Sequence, residues 1–254
     1  MQVDLNADMG ESFGPWPMGD DAGLLGIVSS ANIACGAHAG DPDVMAQTMR
    51  LAHENGVGIG AHPGFPDLAG FGRRRMQMPL PSLQNAIRCQ LGASLGMAKA
   101  LGAEVRHLKL HGALANMASE DEELALACYE AALSVAPEII IMVIAATAQD
   151  RAVRQLNCRV ACEIFADRAY NDDATLVDRS LPGAVIHDAR IAGMRMVDMV
   201  QSQSIVTETG KRIETPIDTI CCHGDTPHAV AIAASVRQAL EGKGIAVAPF
   251  SGRA

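Results

Sequence analysis

The sequence predicts an α/β fold, a TIM-like (β/α) barrel with seven or eight parallel strands, formed by residues 1–254 as a single domain. A strand-like segment followed by a helix-like segment repeats along the chain, which is typical of a parallel sheet covered by helices. The length of 254 residues suits one such barrel. Polar, titratable side chains follow almost every predicted strand, at the end where barrel enzymes carry their active sites.

The first half of the chain contains four predicted strands, each a short apolar run followed by small or polar residues. They span 3–6, 30–34, 57–61 and 105–110. Helices are predicted at about 21–28, 42–55 and 82–101. The helix at 42–55 has the clearest ends, because Asp41 can serve as its N-cap, Pro42 suits the first helical position and Gly56 suits the stop.

The second half continues the alternation of strands and helices. Strands are predicted at 138–145, 160–165, 219–222 and 245–248, and helices at 119–135, 149–156, 188–203 and 226–242. Ser119 and Glu122 have the spacing of a capping box, which predicts that a helix begins at Ser119. Residues 205–213 look like a short excursion from the repeating pattern.

Composition and charge exclude several classes of function. The net charge of −9 argues against binding to nucleic acid or to an anionic membrane surface. The longest apolar run, 139–146, is too short to span a bilayer, and no signal peptide is visible. Seven cysteines without a Cys-x-x-Cys pair favour reduced thiols and a cytoplasmic location. No P-loop or dinucleotide fingerprint is present.

The polar side chains at strand ends are the candidate functional residues. They are Asn6, Asp8, His38, His62, Lys109, His111, Asp167, Arg168, His223 and Asp225. In an open doubly wound sheet these groups would lie along one edge, whereas in a barrel they converge on one mouth. Their number therefore favours the barrel. One such histidine alone is as often structural as functional.

Several of these residues need partners wherever they lie. Asp4, Asn6 and Asp8 alternate along one strand and point to the same side, where buried polar groups require hydrogen bonds or ions. Lys109 on a barrel strand is costly unless it is paired. His38 lies among small residues that leave space beside its ring, whereas Cys35 next to it is best interpreted as a packed thiol.

Six blocks of the sequence, in order from end to end, resemble the LamB/YcsF family. They are DLNADMGE at 4–11, NIACGAHAGDP at 32–42, GAHPGFPD at 60–67, KLHGAL at 109–114, FADRAY at 165–170 and HGD at 223–225. The sequence departs from the usual family pattern at three positions. Leu110 replaces a proline, Ala115 a tyrosine and Ala174 a glycine.

The resemblance implies a barrel related to glycoside hydrolases and polysaccharide deacetylases. It also implies ATP-dependent opening of the lactam 5-oxoproline to L-glutamate, together with two partner subunits, B and C. ATP would bind either here, through an unfamiliar set of loops, or on a partner. Whether the chain also forms a homo-oligomer stays open.

The resemblance and the strand-end pattern together assign candidate roles. The predicted catalytic residues are Asp8, His38, His62, Lys109 and His111, and the predicted substrate-binding residues are Asn6, Asp41, Asp167, Arg168, His223 and Asp225. One of Asp8, His38 or His62 would act as general base, while Lys109 or Arg168 would hold carboxylate or phosphate charge.

Two other functions are compatible with the same residues. Asp8, His38 and His62 could hold a divalent metal ion that activates water, as in a metal-dependent amidase or deacetylase. Alternatively, the mouth could bind a small acid without turnover, as a regulatory protein does. The number of titratable groups favours chemistry over binding alone.

Overall fold

The computed structural model describes residues 1–223 and 228–253, so the candidate Asp225 lies outside the described residues. The strands are β1 (Gln2–Met9), β2 (Ser30–Ala34), β3 (Gly58–His62), β4 (Val105–Lys109), β5 (Ile140–Ile144), β6 (Val160–Phe165), β7 (Ser204–Val206), β8 (Arg212–Glu214), β9 (Thr219–Cys222) and β10 (Ala246–Val247). The helices are α1 (Asp21–Leu25), α2 (Pro42–Glu54), α3 (Leu80–Ala100), α4 (Gly112–Glu120), α5 (Glu122–Val135), α6 (Ala148–Val153), α7 (Ala189–Ser202) and α8 (Ala229–Glu241).

The predicted barrel is confirmed. Over the described ranges, β1 to β6 and β9 form a parallel sheet that closes because β1 pairs with both β2 and β9. Asn6 lies opposite Ser30 on one side and opposite Cys221 on the other. The last predicted strand, β10, pairs in parallel with Gln2 and Val3 at the beginning of β1. The predicted excursion at 205–213 contains the antiparallel pair β7–β8.

The prediction that one helix begins at Ser119 is wrong. Two helices occupy this region, and Asp121 separates them in an extended conformation. The Asp121 carboxylate accepts the Leu124 N–H at 3.1 Å and so caps α5. Ser119 instead donates its hydroxyl to the Asn116 carbonyl inside the preceding helix. A second capping residue within two positions of the first therefore decided the boundary.

This correction leads to a stability prediction. We expect Asp121→Ala to lower the free energy of unfolding by about 1 kcal/mol, because α5 loses its only side-chain cap among the hydrogen bonds described. Ser119→Ala leaves that cap in place and should cost less. Urea denaturation of both variants checks this, and a larger loss for Ser119→Ala would contradict the assignment of the cap.

The barrel interior is polar near its axis, in contrast to the aliphatic layers common in such barrels. Asn6 donates to Thr219 Oγ1 at 2.7 Å and accepts from Asn32 Nδ2 at 2.7 Å. His107 Nε2 lies 2.8 Å from Asn32 Oδ1, and burial lowers the His107 pKa to about 3. The ring is therefore neutral and donates to Asn32. The apolar residues of β1, such as Leu5 and Met9, belong to the hydrophobic core.

Asp4 lies deepest among the inward-facing polar groups of β1. Its carboxylate accepts hydrogen bonds from Ser29, Ser30 and Thr219. Burial raises the Asp4 pKa from 3.8 to about 6, despite those hydrogen bonds. The unfolded chain therefore loses this proton at lower pH than the folded protein does. The contribution of this group to folding stability is fully present below about pH 4 and falls as the pH rises toward 6.

Asp4→Asn should make the free energy of unfolding less dependent on pH between about pH 4 and pH 6. In the native protein, the displaced pKa of this one carboxyl group accounts for a fall of at most about 3 kcal/mol over that interval. Urea denaturation at pH 4, 5 and 6 measures it. The exposed Asp43, replaced by asparagine in parallel, serves as the control. An unchanged slope in Asp4→Asn would show that another group causes the decline.

Among the described residues, no helix is both long and apolar enough to cross a bilayer.

Candidate active site

A cavity of about 560 Å³ opens at the carboxyl ends of the barrel strands. Six of the predicted residues line it, namely Asp8, His62, Lys109, His111, Arg168 and His223. Two more predicted residues contact these lining residues. His38 stacks on His111, and Asp167 hydrogen bonds to His223. The sequence-based expectation that strand ends converge therefore holds for eight residues from six strands and the loops that follow them.

Lys109 is the centre of an ion group at the base of the cavity. Its ammonium lies 2.9 Å from Asp8 Oδ1 and 2.9 Å from Glu163 Oε1, and 3.0 Å from the Cys221 sulfur. Burial works against the charge on Lys109, but Asp8, Cys221 and Glu163 outweigh it and hold the Lys109 pKa well above its ordinary value. The ammonium is thus a permanent positive charge and not a free amine nucleophile.

The two carboxylates of this group differ in basicity. Burial alone would raise the Asp8 pKa, but His62 and Lys109 hold it well below its ordinary value. Asp8 also accepts from Asn32 Nδ2 at 2.9 Å. For Glu163, burial is the stronger influence and raises the pKa despite the contact with Lys109. Asp8 is therefore a weak base that stays ionised.

Three histidines form a second group beside Asp8. His62 Nε2 lies 3.4 Å from Asp8 Oδ2 and 3.0 Å from His111 Nδ1. The His38 ring stacks on His111 with 3.6 Å between centroids and 6° between planes. Burial lowers the pKa of both His38 and His111 well below the ordinary value, and the neighbouring histidines add to the effect. Both rings are therefore neutral at neutral pH.

His223 and Asp167 form a pair on another wall. His223 Nδ1 lies 2.8 and 2.9 Å from the two carboxylate oxygens of Asp167. Burial opposes ionisation of Asp167, but His223 overcomes it and lowers the Asp167 pKa. A ligand atom of His223 lies within 4.8 Å of both Asp8 and Cys221. The imidazole is thus oriented by a buried carboxylate, close to the ion group.

A model of the LamB/YcsF family matches residues 3–254 of this chain. The chain belongs to the LamB/YcsF family. A relative from Ruegeria pomeroyi, named as the A-subunit of 5-oxoprolinase, is 68% identical over 98% of both chains. A crystal structure from Thermus thermophilus, titled lactam utilization protein, is 40% identical with a TM-score of 0.92, and the match covers 98% of this chain and 100% of that one.

A more distant likeness concerns the fold of this LamB/YcsF chain alone. The catalytic domain of a peptidoglycan N-acetylglucosamine deacetylase from Eubacterium rectale is 11% identical, with a TM-score of 0.53 over 98% of this chain and 88% of that one. The predicted relationship to the deacetylase barrels is thereby confirmed at the level of the fold.

Two predicted binding residues of the LamB/YcsF chain lie away from the cavity lining. Asp41 caps α2 by accepting from Asp43 and Val44, and it also accepts the Gly14 N–H at 2.7 Å. Asn6 lies in the polar barrel interior, hydrogen bonded to Asn32, which in turn contacts Asp8. Neither lines the cavity.

Sequence reasoning missed Glu11 and Glu163 as site residues of the LamB/YcsF barrel. Glu163 stands among apolar residues in β6, a pattern that indicates a paired inward charge. Glu11 closes the first family block, and its carboxylate lies 3.9 Å from His111 Nδ1. Its position in that block was the sequence feature that could have identified it. Only the closed barrel brings the two glutamates to the same cavity.

The departures from the LamB/YcsF pattern have visible consequences. Leu110 and Ala115 line the cavity, so the replacement of a tyrosine by Ala115 leaves its wall with less bulk and no phenol. Ala174 adopts φ = 71°, in the left-handed region that favours glycine.

Cys35 contacts Ser94 Oγ at 3.2 Å, and burial raises its pKa to about 11. It is therefore a packed thiol, as expected.

Proposed function

We propose that this chain is the A-subunit of a 5-oxoprolinase, which opens the lactam 5-oxoproline to L-glutamate with ATP in a complex with subunits B and C. One observation carries the proposal. Residues from five of the six family blocks, which are scattered along the chain, line one polar cavity. The relative from Ruegeria pomeroyi carries the name of this activity, and the Thermus thermophilus structure carries a title that refers to lactams.

The reaction is the hydrolysis of an unreactive cyclic amide. Water adds to the lactam carbonyl carbon, the ring C–N bond breaks, and the nitrogen takes up a proton to give the amine of glutamate. Negative charge develops on the carbonyl oxygen as water adds. Lys109, which stays charged between Asp8 and Glu163, supplies fixed positive potential at the base of the cavity.

We assign the general base to His223, oriented by Asp167, in place of the expected Asp8, His38 or His62. Asp8 has too low a pKa to be an effective base, and the same holds for the neutral ring of His38. His62 Nε2 lies 3.0 Å from His111 Nδ1 and 3.4 Å from Asp8 Oδ2, so these two neighbours compete with a substrate water for it. In His223, the bond from Nδ1 to Asp167 fixes the tautomer that leaves Nε2 to accept a proton.

We place the lactam carboxylate near the side of the cavity that is lined by Arg73, Arg168 and Arg179, the arginine wall. Arg168 is buried there and donates to the carbonyls of Val177 and Ala184, so it also holds the loop that follows β6. Burial, together with the charge of Arg179, lowers the Arg168 pKa to about 10, which leaves it charged at neutral pH. Arg73 and Arg179 line the same cavity. A small anionic substrate matches this wall.

The sequence contains no P-loop pattern, and we therefore place ATP on a partner protein of the complex. That partner would transfer the γ-phosphoryl group of ATP to the lactam oxygen and release ADP. Addition of water in this barrel would then break the ring C–N bond to give an acyl phosphate, and a second water would release phosphate and leave glutamate. The cytoplasmic location expected from cysteine usage is part of the same proposal.

Reconstitution tests the proposal. The chain is mixed with candidate subunits B and C, 5-oxoproline and ATP, and glutamate and ADP are measured while one component at a time is omitted. We expect glutamate only in the complete mixture. Binding of 5-oxoproline without turnover in any mixture would instead identify a non-catalytic role. Glutamate formed without ATP would point to an ATP-independent amidase.

A further inference from the structure

The four side chains of Glu11, His38, His62 and His111 are buried together beside the cavity. One ligand atom from each, either a carboxylate oxygen or an imidazole nitrogen, lies within 4.8 Å of all the others. They come from four different strand ends or the loops that follow them, so the closed barrel alone brings them together. Glu11 Oε1 lies 3.9 Å from His111 Nδ1, and the His38 ring makes an edge contact with the His62 ring, with 5.6 Å between centroids.

The hydrogen bonds of two of these rings determine where their protons are. His62 Nδ1 lies 2.8 Å from the Lys109 carbonyl, and His111 Nε2 lies 2.9 Å from the Phe71 carbonyl. A carbonyl oxygen can only accept, so both of these nitrogens donate. When both rings are neutral, the remaining nitrogens, His62 Nε2 and His111 Nδ1, carry lone pairs and face each other at 3.0 Å. Two facing lone pairs repel unless a proton or a metal ion lies between them.

The spacing of these two nitrogens fits a shared metal ion. Zinc–nitrogen bonds are about 2.0–2.1 Å long, so two imidazoles on one ion have nitrogens about 2.9 Å apart at a right angle and about 3.4 Å apart at the tetrahedral angle. The observed 3.0 Å lies within this interval. This distance therefore suits two neighbouring ligands on one ion, and it equally suits a hydrogen bond through a shared proton.

His38 supplies an independent observation. Its side chain is fully buried, yet neither ring nitrogen has a hydrogen-bond partner within the described part of the chain. A buried polar group left unsatisfied destabilises the fold, so these nitrogens favour a ligand. Its ring is stacked parallel to that of His111, so an ion shared by both requires one ring to rotate.

Glycines hold the space around this ring. A Cβ added at Gly64 would lie 2.8 Å from His38 Nδ1, and one added at Gly72 would lie 2.7 Å from His38 Cβ. Gly72 also has φ = 60°, which favours glycine on backbone grounds alone. The absence of side chains at these two positions leaves room for the His38 side chain, and at Gly64 for its Nδ1 edge.

Glu11 supplies the carboxylate of this group. One of its oxygens lies within 4.8 Å of a ring nitrogen of each of the three histidines. Asp8 contacts Lys109 and Asn32, and its other oxygen lies 3.4 Å from His62 Nε2.

We propose that Glu11, His38, His62 and His111 form a binding site for a divalent transition-metal ion of the zinc class. Three imidazole nitrogens with one carboxylate favour such ions over Mg²⁺ and Ca²⁺, which prefer oxygen ligands. This ligand set differs from the expected Asp8, His38 and His62 by replacing Asp8 with Glu11 and His111. When bound, the ion would polarise a carbonyl oxygen or lower the pKa of a bound water.

Metal binding can be tested without substrate, ATP or partner proteins, and so independently of the proposed function. The chain is prepared with Cys89→Ser, because that thiol is exposed and could bind metal by itself. After treatment with a chelator, Zn²⁺ alone is titrated by calorimetry, and bound metal is counted by mass spectrometry. We expect one equivalent of tightly bound Zn²⁺, weaker binding of Mg²⁺, and a rise in melting temperature on loading.

Variants locate the ion. We expect His62→Gln, His111→Gln and Glu11→Gln each to weaken Zn²⁺ binding at least 10-fold, while the exposed His53→Gln does not change it. Circular dichroism checks that each variant is folded, and His38→Asn provides a further ligand variant should another unfold. Absence of stoichiometric Zn²⁺ binding would overturn the proposal and leave a shared proton between His62 and His111. Binding that survives all four ligand variants would overturn it equally.

Discussion

Replacing His223 with asparagine is expected to lower the rate of glutamate formation by the complete complex about 10²- to 10⁴-fold, the usual contribution of general acid–base catalysis. His223 lines the cavity, and the Asp167 carboxylate orients its imidazole through Nδ1. Asparagine keeps a hydrogen-bonding side chain at this position but cannot exchange a proton near neutral pH. The loss should therefore appear in kcat more than in KM.

Asp167→Asn provides the companion test. The amide can no longer stabilise the protonated His223, and it no longer favours the tautomer with hydrogen on Nδ1. We expect a smaller fall in kcat than for His223→Asn and a shifted pH profile. His53→Asn, on an exposed helix surface, is the matched control and should retain full activity. Full activity of His223→Asn would show that His223 is not the general base, and the histidine group beside Asp8 would then be the candidate.

Replacing Lys109 with methionine is expected to destabilise the folded protein by about 3–5 kcal/mol, the usual cost of removing one partner of a buried ion pair. Methionine has a similar length and no charge, so the change removes the ammonium and leaves Asp8 and Glu163 buried without this positive neighbour. Urea denaturation measures the loss. The exposed Lys99→Met controls for the general effect of the substitution.

The sign of the pH dependence distinguishes this cause from poor packing. In the native protein the Asp8 pKa is lowered, so its ionised form contributes stability above the ordinary carboxyl pKa, and that contribution is lost as the pH falls through the folded value. Without Lys109, protonation of Asp8 and Glu163 becomes favourable. The deficit of Lys109→Met should therefore be smaller at pH 5 than at pH 7.

A second variant keeps this prediction testable if Lys109→Met fails to fold. Adding Asp8→Asn and Glu163→Gln removes both orphaned charges, and the triple variant should recover part of the lost stability while remaining inactive. A triple variant no more stable than Lys109→Met would show that packing of the lysine stem, and not charge, causes the loss.

The alternation of strands and helices, and with it the barrel, could be predicted from local signals. Apolar runs of the right length marked the strands, and Asp41 and Pro42 marked the beginning of α2 as the structure has it. Local signals failed where two of them competed. Ser119 and Asp121 both suit an N-cap, and the Asp121 carboxylate is the group that accepts a backbone N–H of α5.

The sequence by itself determined that polar residues from many strand ends gather at the mouth of this barrel, because the carboxyl ends of parallel strands meet once the sheet closes. Only the tertiary structure decided how these residues pair. Lys109 lies between Asp8 and Glu163, and His223 pairs with Asp167, although 56 positions separate them in the chain. Chain order carries no information on such distances. Partners, and through them charge and basicity, depend on side-chain directions that are fixed only in the closed barrel.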